Sequence, residues 1–68
     1  MQILNEKTLV TYSTRTTKAR NGFASIVTRR EGNTERVTSY EFHPNRGKAY
    51  RYAVAMCKSQ AGDHAWTN

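Results

Sequence analysis

Acidic side chains are scarce in this sequence. Five Asp and Glu stand against eleven Lys and Arg, a formal net charge of +6. A chain this basic raises the expectation of a polyanionic partner. Cys57 is the only cysteine, so no internal disulfide can brace the fold, and a reducing compartment such as a bacterial or host cytoplasm is expected. No apolar run approaches the roughly 18 residues that span a bilayer, so no membrane partner is expected. The N-terminal MQILNEKTLVTY lacks a cationic start followed by a long apolar core, so no signal peptide is expected. At 68 residues the chain is one domain, 1–68 with a short tail at 62–68, and it buries too little surface for a deep catalytic cleft. Its seven aromatics can still supply a core.

Metal and nucleophile chemistry lack their residue sets. Cys57, His43, Asp63 and His64 are the only candidates for zinc, without a C-x-x-C pair, so no metal or other cofactor is expected. Cys57 falls on the apolar stripe of a predicted helix, which suits a small core residue better than a reactive thiol. The five acids are dispersed, and Arg46-Gly47-Lys48 is too short for a phosphate loop. The expectation is therefore a binding domain and not an enzyme.

What is present is strand alternation, turn chemistry and one helix. TLVTYSTRT at 8–16 alternates as a half-buried strand, and TKARNG at 17–22 breaks it with an Asn-Gly turn. Strands from about 23 to 30 and 35 to 42 flank Glu31-Gly32-Asn33-Thr34, which suits a two-residue type II′ hairpin. That loop sets a register. Phe23 faces Phe42, Ser25 faces Tyr40, Val27 faces Thr38, Arg29 faces Arg36 and Arg30 faces Glu35, gathering Phe23, Val27, Tyr40 and Phe42 on one face. HPNRGKAYRYAVAMCKSQAG then takes helical spacing, with Asn45 as N-cap and Gly62 as stop. Tyr50, Ala53, Val54 and Cys57 form its apolar stripe. The predicted fold is α+β: a three-stranded antiparallel sheet with one C-terminal helix on its aromatic face.

Eight of the eleven cations lie between Arg15 and Lys48. Arg29 opposite Arg36 is costly in a bare hairpin, and a bound phosphate would offset that cost. Lys18, Arg20 and Arg15 complete the expected anion-binding edge, with Arg30 beside it. The partner is then a nucleic-acid backbone or an acidic protein surface, met by a monomer or small homo-oligomer.

The run NGF, strand, RR-x-GN-x-x-R, strand, F, followed by a helix, resembles the N-terminal arm-binding domains of phage and transposon tyrosine recombinases. The plant AP2-type DNA-binding domain has a similar plan. The resemblance covers about residues 8 to 58. It implies a sheet that enters the DNA major groove by the face away from the helix, through Arg15, Thr28, Arg30 and Ser39, with Lys18 and Arg20 on phosphates. A contrasting class is a small phage-encoded inhibitor that blocks a host enzyme or defence complex by occupying its surface. For that class a protein-contact patch of Ile26, Val37 and Trp66 is expected.

Overall fold

In a computed structural model, which describes residues 1–62 and the backbone of 65–67, four antiparallel strands precede one helix and a fifth follows it. The strands are β1 (Gln2–Asn5), β2 (Val10–Ala19), β3 (Gly22–Glu31), β4 (Thr34–His43) and β5 (Ala65–Thr67), with α1 at Arg46–Ala61. They form one antiparallel sheet in the order β4-β3-β2-β1-β5. The α+β class is as expected, but the sheet has two more strands than the expected three. β1 is only four residues long, and β5 lies inside what the sequence presents as a tail. Helix α1 carries the chain from the β4 edge across β2 and β3 to the β1 side, where β5 pairs with β1.

Local chemistry fixes the turns. Gly32 has φ +60°, as the first central residue of a type II′ loop requires, and Glu31 pairs with Thr34 across it. Arg20-Asn21 closes the β2–β3 hairpin, with Ala19 opposite Gly22. Between β1 and β2, the Asn5 side-chain oxygen accepts from the Lys7 and Thr8 amides at 3.0 and 3.1 Å. Its Nδ2 donates to the Ala61 carbonyl at 2.7 Å, tying this loop to the helix C-terminus. Asn5→Ala is expected to lower stability by about 2 kcal/mol, because three backbone groups lose a partner at once; urea unfolding measures it. Asn45 caps the helix by accepting from the Lys48 amide at 2.9 Å, and Gly62 ends it at φ +68°.

The β3–β4 register holds only near its turn. Arg29 faces Arg36, Arg30 faces Glu35 and Thr28 faces Val37, as the hairpin loop predicts. Thr38 is then an extra residue, a β-bulge, and beyond it Val27 faces Ser39, Ile26 faces Tyr40, Ala24 faces Phe42 and Phe23 faces His43. One inserted residue turns every later side chain of β4 to the other face. Phe23 and Phe42 therefore lie on opposite faces, and the expected aromatic cluster does not form. Tyr40 and Phe42 are exposed on the face away from the helix, with 53% and 68% of their surface open.

The core beneath α1 is built from small residues. Ile3, Val27, Cys57 and Ala61 cluster there, with Met1, Tyr12 and Met56 partly buried against them. The buried helix stripe is Ala49, Ala53, Cys57 and Ala61, spaced by four. Of the expected core, Val27 and Ala53 are fully buried and Phe23 and Val54 half-buried, whereas Tyr50 is exposed like Tyr40 and Phe42. A stripe of small side chains lets the helix backbone sit close on the sheet, and the larger Tyr50 is left at its margin.

Candidate nucleic-acid interface

Strand alternation builds the face opposite α1. Across β4, β3 and β2 it reads Phe42–Ala24–Thr17, then Tyr40–Ile26–Arg15, then Val37–Thr28–Ser13, then Glu35–Arg30–Thr11. Ala24 and Ile26 are buried although no helix covers them, because their neighbours in register roof them. Ile26 thus cannot touch a partner, which removes it from the expected protein-contact patch. Val37, 57% exposed, remains on the surface of this face. The Trp66 backbone pairs with Leu4 in β5, and its side chain lies outside the described residues.

Arg15 and Arg30 stand exposed on this face, and in register Glu35 is its one carboxylate among the described residues. Glu35 lies opposite Arg30, but the only ion pair among the described residues is Arg29–Glu31 at 3.4 Å. With the bulge, Glu41 lies on the helix side opposite Ser25. The bulge moves Ser39, expected as a base contact, to the helix side opposite Val27. A shallow groove of about 520 Å³ runs between Arg15, Thr28 and Val37.

The expected cationic edge divides in two. Arg20 sits in the β2–β3 turn and Lys18 beside it opposite Phe23, while Arg29 and Arg36 lie near the β3–β4 turn. Phe23 and Arg29 are six residues apart on β3, about 20 Å at roughly 3.3 Å per residue. Arg29 and Arg36 are opposed as the sequence predicts, but the structure relieves that pair internally. The Tyr12 hydroxyl, then the Glu31 carboxylate, favour the charged form of Arg29 and push its already high pKa further up.

Arg20 instead joins Phe42. Both line a cleft of about 470 Å³ at the turn end of the sheet, walled mainly by Ala19, Phe23 and Pro44. Sequence alternation alone could not bring Tyr40 and Phe42 to this site, since a skipped residue leaves no mark on composition or period. Their rings meet edge to face, with centroids 5.4 Å apart and planes at 69°.

Two groups with catalytic potential are enclosed. Ser25 Oγ lies 3.2 Å from His43 Nε2, the spacing of a nucleophile and its base, and Tyr52 packs on the His43 ring at 4.8 Å. Ser25 is only 1% exposed, so an external substrate has no path to its hydroxyl, and the contact holds β3 to the end of β4. Cys57 is buried under the helix, and burial pushes its thiol pKa up against a small opposing pull from the N-terminal amine. The thiol is expected to react with an aromatic disulfide reagent far more slowly in the folded protein than in urea at the same pH. Equal rates would place Cys57 at the surface. Among the described residues no three His, Cys, Asp or Glu side chains group as metal ligands, and no helix is long and apolar enough to cross a membrane. No protein family, curated protein or solved structure matches the chain.

Proposed function

We propose that this chain is a small, non-enzymatic basic domain that engages nucleic acid through the open face of its sheet. The observation that supports the reading is the placement of Arg15 and Arg30, exposed and opposite the helix, with Glu35 as the one acid in register with them. Arg20 extends the cationic track around the turn end. Phosphate suits guanidinium groups because each offers paired donors. A helix on one face and cations on the other is also the plan that the resemblance to recombinase arm-binding domains implies. The buried free thiol of Cys57 accords with a reducing, cytoplasmic setting.

If Arg15, Arg20 and Arg30 each neutralise one phosphate, log K should fall by roughly two to three units per decade of salt. Anisotropy titrations of labelled oligonucleotides at two salt concentrations test this. Arg15→Ala and Arg30→Ala should each weaken binding similarly across unrelated sequences, since phosphate contacts position without specifying. Arg29→Ala should weaken it less, because that guanidinium lies on the helix side, 3.4 Å from the Glu31 carboxylate. Salt-independent binding, or a larger loss from Arg29→Ala than from Arg15→Ala, would overturn this reading.

A second reading has its own support. Val37, Tyr40 and Phe42 expose apolar surface on the same face, as a domain that blocks a nucleic-acid-handling protein or an anti-phage complex by covering it would do. The titrations separate the two readings, because such an inhibitor has no need to bind free nucleic acid.

A further inference from the structure

The aromatic side chains of the open face specify the ligand further than its charge does. We propose that the ligand is single-stranded nucleic acid, its bases stacked on Phe42 and Tyr40 and its phosphates following Arg20, Arg15 and Arg30. This rests on the nucleic-acid reading above and names its ligand class.

Ring faces decide between single strand and duplex. In a duplex the bases are stacked on one another, and the grooves offer only base edges, sugars and phosphates. An exposed aromatic ring gains little there. On an open strand every base offers a π-face, and stacking on an aromatic side chain accepts any base. Tyr40 and Phe42 alternate on one strand about 7 Å apart, roughly twice the 3.4 Å rise between stacked base pairs. With their planes at 69° the rings cannot continue one base stack, so each takes its own splayed base.

The cations lie where such a strand needs them. Phe42 shares its cleft with Arg20, whose guanidinium stands at the same turn end of the sheet. The mainly apolar walls of that cleft, about 470 Å³ in all, enclose room for a base, with a cation for its phosphate. Tyr40 shares its row with Arg15, two strands away across Ile26, or about 10 Å at roughly 4.8 Å per strand. Arg30 lies farther along toward the opposite end. Aromatics on β4 and cations on β2, β3 and the turn thus form two parallel tracks. Neither Tyr40 nor Phe42 belongs to the buried core, so their large exposed areas find no role in holding the helix.

The test compares the full chain on unstructured pyrimidine oligomers of DNA and of RNA with a duplex of equal length. Both single strands, or either one, should bind more tightly than the duplex. Phe42→Ala and Tyr40→Ala should each weaken single-strand binding roughly tenfold or more. Phe42→Trp should bind as the parent does, and circular dichroism should show each alanine variant, which uncovers part of Ala24 or Ile26, still folded at the assay temperature. If the duplex binds as well as the single strands and the alanine variants bind normally, single-strand stacking is wrong while the nucleic-acid reading stands. If no nucleic acid binds even at low salt, both fall, and the aromatic face belongs to a protein partner.

Discussion

Gly22→Ala should remove about a third or more of this domain's folding stability. A Cβ placed on Gly22 would lie 2.2 Å from the carbonyl oxygen of His43, with the His43 carbonyl carbon at 3.3 Å and the Pro44 Cα at 3.4 Å. All three are backbone atoms, so no side chain can rotate aside. The φ of +155° is also one that L-residues rarely adopt. The substitution must separate the start of β3 from the end of β4, where Phe23 pairs with His43 and Ser25 bonds to the His43 ring. We expect a loss of about 3 kcal/mol or more. A domain of this size holds in total only about 3–10 kcal/mol. Gly32→Ala is the control. Its φ is +60°, but nothing lies within 4 Å of the added carbon, so its cost is backbone strain of about 1 kcal/mol. Thermal or urea unfolding followed by circular dichroism separates the two. Equal midpoints for both variants would show that the close approach to His43 is not formed.

The turn and cap residues were readable because each states its own local requirement. Gly32-Asn33 demands a two-residue loop and so places Arg29 opposite Arg36, Asn45 offers a cap to the Lys48 amide, and Gly62 ends the helix. These need no knowledge of the rest of the chain. The bulge at Thr38 is different in kind. TERVTSYEFH alternates acceptably in either register, so period alone supports the unbulged ladder. The Thr38 hydroxyl reaches the Val27 carbonyl across the hairpin at 3.4 Å and also Gln60 Oε1 on the helix overhead, twenty-two residues on. Ser25 and His43 come together only in the bulged register. Long-range contacts chose the register, and the register chose the site. It exchanged Ser39 and Glu41 for Tyr40 and Phe42 on the open face. It also follows that the crowded arginines near the hairpin turn are not one site: Arg29 lies on the helix side beside Glu31, while Arg30 lies on the open face.

The helix stripe misled for a related reason, and it yields the second large effect. Spacing alone puts Tyr50 on the apolar stripe of α1 with Ala53, Val54 and Cys57, yet Tyr50 is 53% exposed and Ala53 is fully buried. The helix rests on β2 and β3, whose side chains on that face include Thr14, Thr16, Ser25 and Val27. Such a surface is shallow and close, and it accepts a methyl group where it cannot accept an isobutyl group. Ala53→Leu adds three carbons at a position with no exposed surface. The helix must then lift from the sheet, loosening Ala49 and Cys57 on either side of it. We expect a loss of about 3 kcal/mol, the upper part of the usual range for overpacking. At roughly 4–8 °C per kcal/mol for a domain this small, that is a fall of more than about 12 °C in unfolding midpoint. Tyr50→Ala removes far more atoms, yet it should change stability by less than about 1 kcal/mol, since half of that side chain is already in water and alanine favours the helix. Scanning calorimetry of the two variants settles the matter. If Tyr50→Ala costs more than Ala53→Leu, the helix is rotated from the placement described and the Ala49–Ala53–Cys57–Ala61 stripe is not the face that meets the sheet.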